Sequence, residues 1–449
     1  MKALPALFFA ASFACAAQSV DVSLKPGDPY APREVRVLAD VPPLAPDAGL
    51  DRFGGVPDAS LKATGFFRAQ KIGDAWWLVD PDGGRFIHKG VASVNTIPTK
   101  GANAALAKSF VDKAGWAQAT AAQLRAIGFN GTGSWCADEE LAAAKGKPVR
   151  TKLLSLMSGY GKKRGGTYMQ PGHVGYPGDC PFIFDEAFAA YCQAACAELA
   201  ANKDDPWLLG YYTDNELPWS REMLPRYLKL SADDPGRRAA EAWLAEHKAE
   251  PAKLTAALKD EFLEFAAERY FRVTAGAIRA ADPSHLVLGA RFHGSATQLK
   301  PLLRAAGKHC DVVSINYYRA WTPDAALTGM WTAESGRPFL ITEWYAKAED
   351  SGLGNTGGAG WLVRTQQDRG LYYQHFAMAL LADRGCVGWH WFRYSDNDPD
   401  DKKVDPSNRD SNKGMVSNRY VPYAPLVGAM SEVNLRAYGL RERAMKSAK

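Results

Sequence analysis

Cysteine is scarce in this sequence, seven residues in 449, and none of it is spaced to hold a metal. Cys192 and Cys196 share one helical face, but no histidine pair with zinc-like spacing stands near them, so they read as small buried hydrophobes. After the first residues no run of about 18 apolar side chains occurs, so no helical membrane span is expected. No Lys/Arg cluster marks a nucleic-acid footprint, and a net charge of +5 is small for this length. No Gly-x-Gly-x-x-Gly sits between a strand and a helix, so no dinucleotide is expected. No Gly-x-Ser-x-Gly elbow follows a strand, which argues against an esterase. Asp396–Asp401 begins like a calcium loop, but Asp401 stands where glycine is needed and Ser407 where glutamate closes the site, so it reads as a solvated acidic loop. No metal and no cofactor are therefore expected, and no feature fixes an oligomeric state.

What is present begins with an export signal. Lys2 supplies the positive start, Ala3 to Ala14 the apolar run, and Ala14-Cys15-Ala16-Ala17 the small residues of a cleavage site. Residues 1–17 are read as a signal peptide and the mature chain as secreted or periplasmic. A lipidated Cys15 is the alternative, with Ser12-Phe13-Ala14 a poor match to that pattern. Six cysteines remain, an even count that permits disulfides in an exported protein. Residues 18–60, with Val-Pro-Pro-Leu-Ala-Pro at 41–46, read as an extended lead-in. Residues 61–449 read as one domain.

That domain opens with a hairpin, Gly65–Ile72 and Ala75–Asp80 around Gly73-Asp74, expected to plug the N-terminal end of a barrel. Strand and helix patterns then alternate. Strands are predicted at Phe86–Asn95, Phe129–Trp135, Val149–Leu156, Leu208–Asp214, Leu286–Phe292, Val312–Tyr318, Phe339–Glu343 and Val387–Tyr394. Helices are predicted at Ala117–Ile127, Asp185–Ala201, Asp260–Ala280, Thr297–Ala306 and Thr365–Asp383. Eight strands alternating with helices predict an α/β fold, a closed parallel (β/α)8 TIM barrel with an N-terminal hairpin and long βα loops. The connections at 157–184, 217–258 and 346–364 are long enough to rim a cleft for an extended polymer.

Two of these strands end in an acid. Leu208-Leu209-Gly210-Tyr211-Tyr212-Thr213-Asp214 runs into Asn215-Glu216, and Phe339-Leu340-Ile341-Thr342 into Glu343. In a barrel, strand ends four and seven face one mouth, and two carboxyl groups across one pocket are what glycoside hydrolysis requires.

At these residues the sequence resembles the large retaining glycoside hydrolase clan built on the (β/α)8 barrel. More narrowly, Gly65-Phe66-Phe67-Arg68, Trp76–Gly83, Tyr211–Trp219 and Thr342-Glu343-Trp344-Tyr345 are similar to β-agarases and related exported polysaccharide hydrolases. The resemblance covers about residues 65–440 and lacks the large N-terminal carbohydrate-binding-like domain common in that group. It implies that Glu216 is the acid/base and Glu343 the nucleophile, with Asn215 on the sugar hydroxyl beside the anomeric carbon. It also implies that Tyr317 or Tyr318 holds the nucleophile, and Tyr317 is favoured because it follows Asn316 at the strand end. His293 ends strand five and is read as touching the acid/base or the sugar. Trp389 and Trp391 alternate onto one side of strand eight and, with Trp344 and Trp219, are read as sugar platforms. The expected partner is a carbohydrate, with no nucleic acid. Three functions stay open: agarase-like hydrolysis, the same machinery on a β-glucan or β-galactoside, and a barrel that binds glycan without cleaving it.

Overall fold

The computed structural model describes residues 18–170, 173–402, 404 and 409–447. The predicted signal peptide, with Cys15, and Ser407 of the acidic loop lie outside the described residues. Among the described residues no helix is long and apolar enough to cross a membrane.

The fold is mixed α/β. The strands form at the predicted places, shortened at their ends, in two parallel sheets. The larger runs in the order Phe292–His293, Val313–Asn316, Phe339–Glu343, Cys386–Phe392, His88–Ala92 and Gly131–Thr132. The smaller runs Leu286–Gly289, Leu208–Tyr212, Arg150–Leu153. The predicted closed barrel is thus not drawn by continuous ladders. Its fifth strand breaks where Gly289 (φ 79°) and Arg291 (φ 38°) leave the extended region, and one parallel bridge, Gly131 to Val149, spans the gap between the second and third strands.

Strand alternation sorts the apolar residues into two cores. Leu286, Leu288, Leu209, Leu340, Val312 and Val387 join a smaller core, while Val287, Leu208, Ile341 and Val313 join the larger one with the helices. The smaller core is completed by Phe67, Leu78 and Phe86, from the predicted hairpin (Arg68–Ile72 paired with Ala75–Val79) and the Arg85–Phe86 strand beside it. The 26-residue helix Ala256–Ala281 buries Phe262, Tyr270 and Phe271, while Phe265 stays exposed.

The lead-in does more than lead. Ser19–Ser23 pairs antiparallel with Trp361–Val363, which pairs parallel with Ala346–Ala348, so the Gly-rich 346–364 connection is built into a sheet. The buried Lys347 ammonium donates to the carbonyls of Leu24, Asn355 and Gly357 and fixes that connection from inside. The six described cysteines are free thiols, five of them buried.

The acidic 396–401 loop is solvated only in its second half, where Asp400 is exposed. Asp396 and Asp398 are buried because they accept local hydrogen bonds: Asp396 from Asn412, Gly414 N–H and Tyr423, and Asp398 from Thr99 and Arg419. Among the described residues no group of three or more potential ligands is placed to hold a metal ion.

One buried acid ties the scaffold to the strand that bears Glu216. Asp214 accepts from the backbone N–H of Met157 and Ser158, at the start of the Leu156–Arg164 helix, and from the Tyr270 hydroxyl at 2.7 Å. Burial pushes its carboxyl up to about 7 against those three donors. Asp214→Ala leaves the two backbone N–H groups without their acceptor at roughly 1–3 kcal/mol each, while the Tyr270 hydroxyl keeps Thr213 Oγ1 as a partner. A loss of about 3–5 kcal/mol in urea unfolding is expected; a loss under about 1 kcal/mol would contradict this bracing role.

Candidate active site

Glu216, His293 and Asn316, at or just past the ends of three strands, line two adjoining cavities, and several residues at the strand ends depart from extended geometry. Glu216 (φ 52°), Arg291 (φ 38°), Trp135 (φ 61°) and Arg319 (φ 61°) all take the left-handed region. Non-glycine residues held there cost about 1–3 kcal/mol each and cluster at functional sites. At Glu216 the left-handed turn follows directly on the Leu208–Tyr212 strand and Asp214, before Pro218 rules out further pairing.

Asn316 and Arg291 join the two acids. Asn316 Nδ2 donates to Glu216 Oε1 at 2.6 Å and to Asn215 Oδ1 at 3.1 Å, while its own Oδ1 accepts from Thr342 Oγ1 at 2.7 Å. Arg291, fully buried, donates to Asn215 Oδ1 at 2.6 Å, to the Thr342 carbonyl at 3.1 Å and to Glu343 Oε1 at 2.6 Å. In the parallel ladder Asn316 lies opposite Glu343, which places the acids of two strands around a single amide. Asn215 has its carbonyl oxygen committed to both Arg291 and Asn316.

The remaining oxygens have their own partners. The Tyr318 hydroxyl donates a short hydrogen bond to Glu343 Oε2. His173 Nε2 lies 3.2 Å from Glu216 Oε2, and His293 Nδ1 lies 3.7 Å from Oε1. His173 Nδ1 is buried without a hydrogen-bond partner, so the contact of Nε2 with Glu216 is the one this ring makes in the site.

The electrostatics differ between the acids. Burial raises the Glu343 carboxyl from its ordinary value. The Arg291 guanidinium opposes this, the negative charge of Glu216 adds to it, and the hydrogen bonds from Tyr318 and Arg291 favour the ionised form. Burial first, and then the charge of Glu343, push the Tyr318 phenol well above its ordinary value, so it remains a donor.

Two cavities meet here. One, about 260 Å³, is lined by Glu216, Trp219, His173 and His293; the other, about 380 Å³, by Asn316, Tyr317, Tyr318, Arg319 and His293. They share His293 and Gly294, and together they fall within the usual range for ligand clefts, about 300–1,000 Å³.

Of the predicted residues, Glu216, Glu343, Asn215 and His293 are thus brought together, and Trp219 walls the smaller cavity while packing on Tyr270 and Phe271. Others are not. Tyr317 contributes to the larger cavity's lining, but its ring packs on Trp331 and Phe376 and its hydroxyl accepts from Asp324 N–H, so Tyr318 replaces it as the partner of Glu343. Trp389, Trp391 and Trp344 do share a side, but it is the helix side. Trp389 donates to the Tyr373 hydroxyl, Trp391 to the Lys413 carbonyl, and Trp344 stacks on Tyr373 and Phe376, all three fully buried. They serve as core, not as sugar platforms. Arg291, Asn316 and His173 were not predicted. The first two were legible only as polar residues at the ends of strands five and six, and His173 as part of a Gly- and Tyr-rich connection.

A pair of substitutions separates the tyrosines. Tyr318→Phe removes a donor from Glu343 and is expected to lower kcat by about a hundredfold. Tyr317→Phe loses one hydrogen bond to a backbone N–H, costs about 1 kcal/mol of stability and leaves kcat nearly unchanged. Equal kcat in both variants would contradict the assignment.

No protein-family model matches the chain. β-Agarase B of Vibrio sp. (strain JT0107) is 25% identical over 88% of this chain and 50% of its own length. The chain resembles β-agarases. It spans about half the length of that relative. Among solved structures, the crystal structure of BpGH50 matches with a TM-score of 0.84 and 28% identity, over 95% of this chain and 96% of that one. AgWH50C, an agarase, matches with a TM-score of 0.73 and 26% identity, over 88% of this chain and 67% of that one. The β-agarase resemblance thus holds in both sequence and fold.

Proposed function

We propose that this protein is a retaining, agarase-like glycoside hydrolase that cleaves β-glycosidic bonds in a polysaccharide or its oligosaccharides. The observation that carries the reading is the linked acid pair: Glu343 held by Arg291 and Tyr318, Glu216 held by Asn316 and faced by His173, with Asn215 bonded to both Arg291 and Asn316 between them. The resemblance to β-agarases supports the substrate class.

On this reading the two parallel sheets are arcs of a (β/α)8 barrel, supported by the strand order and by the Gly131–Val149 bridge. Residues 61–449 then form the catalytic domain, and the export signal at 1–17 takes it out of the cytoplasm.

The chemistry follows from the charges. A retaining pair stands about 5–5.5 Å apart, close enough for one carboxylate to attack and the other to protonate. Glu343 Oε attacks the anomeric carbon as the glycosidic C–O bond breaks, and Glu216 gives its proton to the leaving oxygen. Glu216 then takes a proton from water, whose oxygen displaces Glu343 and releases the sugar. Arg291 and Tyr318 compensate the charge on Glu343 in a site too dry for water to do so. The Asn215 amide is positioned for the hydroxyl beside the anomeric carbon. His293 and Trp219 border the space next to Glu216, on the leaving-group side.

Release of reducing sugar from a panel of agarose, β-glucan and β-galactoside tests this reading. Agarose cleavage is the expected result. Cleavage of another glycan alone would move the substrate, and binding without release would remove the hydrolase.

A further inference from the structure

The acid pair has an aromatic neighbour that the mechanism does not use. Trp135 follows the Gly131–Thr132 strand and is the tryptophan with the greatest exposure among the described residues, 40%. Its left-handed backbone (φ 61°) is held by a hydrogen bond from the Asn95 amide to its carbonyl. Its indole lies over the Arg291 guanidinium, 4.4 Å from the ring centroid, and edge-on to Phe392 at 6.0 Å. Phe392 contacts Tyr345 at 6.1 Å, and Tyr345 contacts Tyr318 at 5.5 Å. A line of rings therefore leads from the phenol on Glu343 to an indole with one face closed by a cation and surface left open to solvent.

This placement is specific. The tryptophans predicted as platforms are buried, whereas Trp135 is strained into an exposed position above the arginine that holds the nucleophile. It stands over the guanidinium that bonds Glu343, and it is not among the residues that line the cavity joining Glu216, His173 and Trp219. The Glu216 side receives the leaving group, so the Trp135 side faces the part of the chain that stays bound to the nucleophile.

We propose that Trp135 is a sugar-stacking platform for the glycone side of a bound oligosaccharide. The proposal rests on the hydrolase reading above. The indole supplies an apolar face for the C–H face of a pyranose, and the guanidinium beneath keeps the ring from tilting.

The test is binding of agarose-derived tetra- and hexasaccharides to Glu343→Gln, with and without Trp135→Ala or Trp135→Phe, by calorimetry. Trp135→Ala is expected to weaken hexasaccharide binding by about tenfold, with Trp135→Phe recovering most of it. In the Glu343→Gln parent, mild N-bromosuccinimide oxidation should reach Trp135 first, and the hexasaccharide should protect it. Unchanged affinity in Trp135→Ala, or oxidation unaffected by the hexasaccharide, would overturn the platform alone. Absence of binding by the parent would overturn the functional reading and the platform together.

Discussion

Glu343→Gln is expected to abolish hydrolysis, with kcat reduced by at least about a thousandfold, while the protein melts within a few degrees of the wild type. Glutamine keeps the shape of the side chain and an oxygen for the Arg291 N–H that reaches Oε1 at 2.6 Å, so the buried guanidinium is not stranded. It removes the nucleophile itself. Glu216→Gln is expected to differ in kind. Its loss, about 10²–10⁴ in kcat/KM, should fall on substrates whose leaving sugar needs a proton, while kcat/KM on an aryl glycoside with an acidic phenol is spared and kcat falls on both, because water still needs Glu216 as base in the second step. Steady-state rates on both substrate types, with thermal melts as the folding control, check the pair. A Glu343→Gln enzyme within tenfold of wild type would remove the nucleophile assignment. Equal losses of kcat/KM on both substrates for Glu216→Gln would remove the acid/base assignment.

The second large effect belongs to Arg291. Its guanidinium is fully buried and divides its donors among Asn215, the Thr342 carbonyl and Glu343. Lysine offers a point charge instead of a planar fork and cannot span all three. Arg291→Ala leaves Glu343 buried and unpaired, which costs about 3–5 kcal/mol of stability, so Arg291→Lys is the better probe of catalysis. A fall of about 10²–10³ in kcat is expected. The pH dependence gives the sign. Glu343 must be ionised to attack, burial raises its carboxyl, and the guanidinium lowers it again. Weakening that partner therefore raises the Glu343 carboxyl further, and the acid limb of the kcat/KM profile moves to higher pH. A limb that stays in place, or moves to lower pH, would show that Arg291 does not set the charge of Glu343.

The sequence carried the strand order well because the apolar runs are short, β-branched or aromatic, and punctuated by Gly, Pro and Asp. It carried the helices less well where amphipathic periodicity is weak. The Ala325–Ser335 helix was not predicted, although Asp324 caps its N-terminus through Ala326 and Leu327 N–H and Gly336 closes it in the left-handed region. Its ends were more legible than its middle, which carries a Gly and three Thr or Ser residues in eleven positions.

Side choice was the harder problem. Alternation correctly puts Trp389 and Trp391 on one side of their strand, but the period of two says nothing about which side faces the helices. The answer lies in their neighbours: His390 faces the strand interior and meets His88 at 2.8 Å, which sends both indoles outward. Tyr317 and Tyr318 fail for a related reason. They are adjacent, and position after Asn316 does not say which ring meets Glu343: Tyr318 bonds the carboxylate, while Tyr317 turns to the Asp324 N–H. The acids were legible because each follows an uninterrupted buried strand. Arg291 and Asn316 were not, because they matter only through contacts with Asn215, Glu216 and Glu343 that no local pattern encodes.

The most direct test of the paired-acid account is the anomeric configuration of the first product. Proton NMR of wild-type enzyme mixed with an agarose-derived hexasaccharide reads the new reducing end before it mutarotates. The account predicts the β anomer first, because attack by Glu343 and then by water inverts the same carbon twice. The α anomer first would mean a single displacement by water, and would contradict a covalent role for Glu343.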